Sequence, residues 1–218
     1  YGPLFVLSTP KGVDVFLDGE ERGKTPLFLF QSDELIVGEH LLEVIMKGYE
    51  KWSDTINTKY EETVTIEVEL KPLWVTFYSL PESATLFIDG RLLGMTPVMI
   101  SLADRSWWGT HEVRMAKEGY RDWKSEITIT GETSAEITGE LELIPMVYVR
   151  STPSPAQLYL DGKLQGETPL SLALVDKSLE GSHRLRVVKE GYEEWEKEVV
   201  LGKEPELSLE IKLRKVFK

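Results

Sequence analysis

Along this chain, apolar side chains fall on every second position in short runs separated by turn-forming residues. Leu4/Val6, Val75/Phe77 and Val147/Val149 open three such sets, each led into a turn by Pro10, Pro81 or Pro153. Val13/Val15/Leu17 follow in the first set, matched by Ala84/Leu86/Ile88 and Ala156/Leu158/Leu160. A period of two places such residues on one face of a half-buried strand. Further strands are predicted through Leu42/Val44, Val113/Met115 and Leu185/Val187. Others start at Trp52/Ile56, Trp123/Ile127/Ile129 and Trp195/Val199/Leu201, where even offsets put each indole on the apolar face. Val64-Ile66-Val68-Leu70, Ile137-Leu141-Leu143 and Leu207-Leu209-Ile211-Leu213 close the sets. No stretch has helical periodicity, and about six short strands per set predict an all-β chain of three small antiparallel β-sandwiches.

The punctuation between these runs recurs in step. Asp18-Gly19, Asp89-Gly90 and Asp161-Gly162 lie 71 and 72 residues apart, and each is followed by Gly-x-Thr-Pro (Gly23/Thr25/Pro26, Gly94/Thr96/Pro97, Gly166/Thr168/Pro169). Asp-Gly suits a tight hairpin because both residues tolerate positive φ. Gly48-Tyr49, Gly119-Tyr120 and Gly191-Tyr192 precede the tryptophans and are expected to break or bulge a strand. A fixed period defines a repeat. The expected domains are therefore residues 1–72, 73–145 and 146–218. Lys71-Pro72 and Ile144-Pro145 are the only joints, which predicts a semi-rigid, elongated array. The segments after Gly-x-Thr-Pro are expected to be sheet edges, which must be shielded or used for strand addition to a partner.

Taken together, the proline turn, alternating strand, Asp-Gly, Gly-x-Thr-Pro, Gly-x-His and Gly-Tyr resemble the PEGA domain family, in three tandem copies covering the chain. The name-giving tetrapeptide is imperfect: Pro10-Lys11-Gly12-Val13, Pro81-Glu82-Ser83-Ala84 and Pro153-Ser154-Pro155-Ala156. The resemblance implies a sandwich akin to transthyretin-like (prealbumin-like) folds. It also implies an extracytoplasmic setting, at a cell surface or in a periplasm, and a family without a well-established catalytic activity.

Composition narrows the partners. The net charge is −12, and it is uneven: 14 acidic and 7 basic residues in 1–72, 11 and 6 in 73–145, 12 and 12 in 146–218. Such a chain repels phosphate backbones, so no nucleic-acid partner is expected. No segment approaches the roughly 20 apolar residues that span a bilayer. Cysteine is absent, so no disulfide supports repeats small enough to bury only about 60% of their unfolded surface. Asn57 is the only asparagine and the glutamines are Gln31, Gln157 and Gln165, a depletion of labile amides that suggests a thermophilic source. The chain begins Tyr1-Gly2-Pro3 and closes on Lys215-Val216-Phe217-Lys218, where a further strand would begin, so it reads as a segment of a longer protein.

Candidate chemistry is sparse. His40, His111 and His183 are the only histidines and share one repeat position, so they do not converge in one unit on a triad or a metal. They are read as hydrogen-bonded, partly buried side chains. Asp18, Asp89 and Asp161 lack the clustered oxygens calcium needs and are assigned to turn chemistry. No phosphate-binding glycine loop occurs, and no cofactor, metal or catalytic residue is expected. Aromatics are the better interaction candidates: Phe16, Phe87 and Tyr159 face away from the core, and Tyr49, Tyr120 and Tyr192 recur after glycine. Trp107-Trp108 is the local departure. Trp107 aligns with Ile36 and Leu179 and is read as core, whereas Trp108 aligns with Val37 and Glu180 and is free for a binding or inter-repeat contact. Trp108, Trp107, Phe87 and Tyr120 are thus the interaction candidates. The expected role is a non-enzymatic scaffold or spacer with a protein partner at the cell envelope; the alternative is an array of carbohydrate-binding modules with a glycan partner. The oligomeric state is not legible in the sequence.

Overall fold

The alternating runs become strands in the computed structural model, which describes residues 2–30 and 37–216. Ile36 and Gln31 lie outside the described residues. The first repeat has β1 (Leu4–Thr9), β2 (Asp14–Leu17), β3 (Glu20–Lys24), β4 (Leu27–Leu29), β5 (Gly38–Ile45), β6 (Trp52–Thr58) and β7 (Val64–Glu69). The second has β8 (Trp74–Leu80), β9 (Thr85–Ile88), β10 (Arg91–Met95), β11 (Val98–Ser101), β12 (Gly109–Ala116), β13 (Trp123–Ile129) and β14 (Ala135–Glu140). The third has β15 (Met146–Thr152), β16 (Gln157–Leu160), β17 (Lys163–Glu167), β18 (Leu170–Ala173), β19 (Gly181–Val188), β20 (Trp195–Leu201) and β21 (Glu206–Lys212). Short 3-10 turns at Arg105–Trp107 and Lys177–Leu179 are the only helical elements among the described residues.

Among the described residues each repeat has seven strands, one more than the alternation predicts. The extra strands, β3, β10 and β17, are edge segments with no fully buried residue and are exposed over most of their length, so no buried face imposes a period of two on them. Each pairs back across the Asp-Gly turn, with a register shift just before Gly23, Gly94 or Gly166. Those glycines have φ of 125°, 148° and 147°, which explains the first residue of Gly-x-Thr-Pro.

Every repeat pairs a four-stranded sheet (β3-β2-β5-β6 and equivalents) with a three-stranded one (β4-β1-β7 and equivalents). The four-stranded sheets of the first and third repeats are antiparallel in every pair, as expected. The three-stranded sheets are not: β1/β7, β8/β14 and β15/β21 are parallel. Hydrophobic alternation fixes which face a residue takes but not strand direction, so the sequence could not show this. Its consequence is that the chain enters a repeat at one end of the sheet and leaves at the other. The segments after Gly-x-Thr-Pro, β4, β11 and β18, pair on one side only and are edges.

The predicted inward residues meet between the sheets. Leu4, Val6, Val15, Leu42 and Val44 form a fully buried centre in the first repeat, with Trp52 and Tyr49 packed at its margin. Val147, Val149, Leu158, Leu185 and Val187 do the same in the third, flanked by Trp195 and Tyr192. Leu143 departs from the expectation. It lies past the end of β14 and is exposed. By packing, the chain divides into two compact units, Tyr1–Met115 with Lys124–Glu140, and Ala116–Trp123 with Leu141–Lys218. The Gly119-Tyr120 loop, although in the second repeat by sequence, therefore belongs with the third.

Candidate functional site

The threonine of Gly-x-Thr-Pro is buried in all three repeats and lies at the centre of a polar chain that the sequence reading missed. Thr25, Thr96 and Thr168 place Oγ1 2.5 Å from the Oγ of Ser8, Ser79 and Ser151. Each serine donates in turn to the carbonyl of Pro10, Pro81 or Pro153. The same Oγ1 accepts the backbone N–H of Val13, Ala84 or Ala156 at 3.1, 3.1 and 3.0 Å. Two hydroxyls thereby satisfy backbone groups where the β1-β2 turn leaves the ladder. The serines recur 71 and 72 residues apart, a signal available in the sequence.

A second recurring device joins the Asp-Gly turn to β5, β12 or β19. The aspartate carboxylate reaches across to the histidine, with Oδ2–Nδ1 distances of 2.6 Å (Asp18–His40), 2.7 Å (Asp89–His111) and 2.6 Å (Asp161–His183). The other oxygen accepts the N–H of Leu41, Glu112 or Arg184 at 2.9, 2.9 and 2.8 Å. Each aspartate sits at positive φ (53°, 50° and 47°), which aims its side chain at the neighbouring strand. The histidine hydrogen bond first, and the backbone N–H second, hold all three carboxyls below the usual carboxylate range. Asp-Gly thus does more than turn the chain. In a hydrolase triad the far ring nitrogen would face a hydroxyl or thiol. His111 Nε2 instead lies 3.1 Å from the Trp107 carbonyl, and His183 Nε2 is buried with no partner. Among the described residues no group of three or more His, Cys, Asp or Glu side chains is placed to hold a metal.

The Gly-Tyr elements close each repeat. Tyr49, Tyr120 and Tyr192 form bridges to Pro72, Leu143 and Lys215, and the carbonyls of Gly48, Gly119 and Gly191 accept from Leu73, Ile144 and Val216. In the first unit, the loop of repeat 1 seats on repeat 2. Gly48 N–H donates to the Gly131 carbonyl at 2.7 Å, and a β-carbon on Gly48 would fall 2.3 Å from the Leu102 carbonyl oxygen. The Lys47 ammonium stands 4.9 Å from the centre of a Trp108 ring.

In the second unit the corresponding contact has different chemistry. Arg121 Nη2 donates to the Leu174 carbonyl at 2.6 Å and to Glu180 Oε1 at 2.5 Å, and Nε donates to the Val175 carbonyl at 3.1 Å. Glu142 lies 3.6 Å from Arg121 and 2.6 Å from Lys177; the Lys177 hydrogen bond is the main cause of its lowered pKa. Glu180 occupies the repeat position of Trp108. It covers Gly202 as Trp108 covers Gly131; a β-carbon on either glycine would approach within 2.5 or 2.7 Å of that side chain.

The four aromatic candidates are all engaged by neighbours. Trp108 is half-buried, donates Nε1–H to the Leu102 carbonyl at 2.9 Å, and has the Arg105 guanidinium 5.3 Å from its ring centre. Trp107 is half-buried in a 3-10 turn that contains no buried residue, with its ring edge-on to His111, so it sits at the core's margin and not within it. Phe87 is covered by the Arg114 guanidinium at 3.9 Å, as Tyr159 is by Arg186 at 4.4 Å. Tyr120 is held in its bridge. Trp107, Trp108 and Phe87 belong to the first unit and Tyr120 to the second.

The PEGA domain profile matches residues 1–73, 74–145 and 144–216. The chain belongs to the PEGA domain family. Among solved structures, the PEGA chain is similar to the Bacillus anthracis TIE protein (15% identity, TM-score 0.36), covering 98% of this chain and 50% of that one. It therefore spans about half the length of that protein. A streptococcal ancillary pilin matches at 10% identity and TM-score 0.30, covering 100% and 99% of the two chains. SGBP-B of the Bacteroides ovatus mixed-linkage glucan utilization locus matches at 12% identity and TM-score 0.16, covering 92% and 60%. No curated protein sequence matches the chain significantly.

Proposed function

We propose that this chain is a non-enzymatic scaffold or spacer of an extracytoplasmic protein, holding PEGA repeats in series and offering their surfaces to a protein partner at the cell envelope. One observation carries this reading. The polar residues common to the three repeats are taken up by backbone groups and by one another, in the Ser–Thr chain, the Asp–His pair and the Gly-Tyr bridge. Those that differ make the contacts between repeat segments, with Lys47 on Trp108 in one unit and Arg121 on Glu180 in the other. Photo-cross-linking in intact cells from a reactive residue at Thr138 tests it. Capture of an envelope protein is the expected result, whereas substrate turnover lost on His111→Ala would overturn it.

A glycan-binding reading keeps one specific observation in its favour. Trp74 and Tyr78 are 38% and 39% exposed on the outer face of β8, a pair peculiar to the second repeat. Glycan-array binding that disappears in Trp74→Ala with the fold intact would select it over the protein scaffold.

A further inference from the structure

The second repeat differs from its neighbours along one seam. In each repeat the last strand forms one edge of the three-stranded sheet, and in the second repeat that edge shares a cleft with β13. The inward positions of these last strands are matched by register. Opposite Leu4, Val75 and Val147 stand Val64, Ala135 and Leu207. Opposite Ser8, Ser79 and Ser151 stand Val68, Gly139 and Ile211. Where the first and third repeats close the seam with branched aliphatics, the second has alanine and glycine. A cleft of about 80 Å³ is found there, lined by Val75, Ile127, Ile129, Thr133, Ala135 and Ile137. That volume is the size of one small aliphatic side chain, and Val75, Ile127, Ile129 and Ile137 supply branched hydrocarbon to it beside Thr128, Thr130 and Thr133.

The edge bordering the cleft is also charged. Glu136, Thr138 and Glu140 of β14 are exposed and alternate with Ala135, Ile137 and Gly139. The outer edge of β14 pairs with no strand among the described residues, so its backbone groups can accept one more strand. Two copies of this edge would set glutamates against glutamates, which disfavours self-pairing. The repeat as a whole has 11 acidic and 6 basic residues, which favours a cationic occupant.

We propose that the β14 edge of the second repeat is a docking site for an extended protein segment in which basic and apolar residues alternate. The apolar side chains enter the cleft beside Ala135, and the basic ones meet Glu136 and Glu140. This names the partner chemistry for the scaffold role and rests on that reading. It also redirects strand addition from β11, the edge expected from the sequence, to β14 on the opposite side of the same sheet.

The probe is a blocked octapeptide of alternating lysine and valine, titrated into the full chain and followed by amide NMR shifts. Shifts are expected at residues 127–129 and 133–140, and the affinity should fall at least about tenfold in Glu136→Lys/Glu140→Lys and with added salt. Ala135→Leu fills the cleft and should weaken binding while keeping the edge charge. Should that variant fold poorly, the charge-reversed pair still decides the matter. Equal binding by Ala135→Leu, equal binding of an isomeric peptide with its lysines and valines in separate blocks, or shifts centred on β11 would each overturn the proposal. Loss of the peptide signal with envelope cross-linking retained would refute the seam and leave the scaffold standing.

Discussion

Replacing Thr168 by valine is nearly isosteric and removes the central hydroxyl of the buried network in the third repeat. Thr168 is 1% exposed, and its Oγ1 is the acceptor for the Ala156 N–H at 3.0 Å. Ser151 keeps its bond to the Pro153 carbonyl at 3.0 Å, so the cost concentrates on the one buried N–H left without an acceptor. A buried group left unsatisfied costs about 1–3 kcal/mol. Thr168→Ser keeps the hydroxyl and loses a methyl, so about 0.8 kcal/mol is expected for it. The second repeat supplies an internal control, because Ala84 N–H also donates to Ser79 Oγ at 3.2 Å. Thr96→Val should therefore cost less than Thr168→Val. Urea unfolding of the full chain, with hydrogen exchange reporting each repeat separately, measures all three variants. A Thr168→Val protein as stable as the parent, or a Thr96→Val cost equal to it, would refute the reasoning.

Acidification tests the Asp–His pairs. Folded-state carboxyl pKa values below the ordinary value of about 3.9 mean that the stabilisation is complete above that pH and is lost as pH falls through the lowered values. Thermal melts between pH 5 and 2 should show Tm falling below about pH 4, less steeply in Asp89→Asn/Asp161→Asn; an unchanged slope would count against the pairs. Arg121→Ala removes three charge-assisted bonds from a side chain that is 16% exposed, and a loss of about 1–3 kcal/mol is expected, read as faster amide exchange around Leu174 and Glu180. Exchange unchanged there would mean that the guanidinium contact contributes nothing.

Much of the fold was legible because burial imposes a period of two on strands with one covered face. Val13/Val15/Leu17 and Val147/Val149 needed nothing more. Strand β10 carries Leu92 and Met95 in exposed positions, and its turn and bulge, not its apolar pattern, make it a strand. The parallel β1/β7 pair depends on how the chain crosses between sheets, which no local pattern encodes. At the site, Trp108 stood out as peculiar to one repeat, but its partner Lys47 is 61 residues away in the preceding repeat. Ser8, Ser79 and Ser151 carry no apolar signal and sit at inward strand positions, although their spacing to the threonines is constant at 17. Ala135 and Gly139 were also readable, as the points where the closing strand of the second repeat loses its branched residues.

The central claim is that what the repeats share holds the fold and what they do not share meets partners. Site-resolved hydrogen exchange on the full chain, comparing His111→Phe with Glu136→Lys/Glu140→Lys, tests it most directly. The account predicts that the histidine variant lowers protection across the second repeat, in β9 and β12 above all, while the charge-reversed pair leaves protection there as in the parent. Protection retained in His111→Phe and lost in the charge-reversed pair would contradict it.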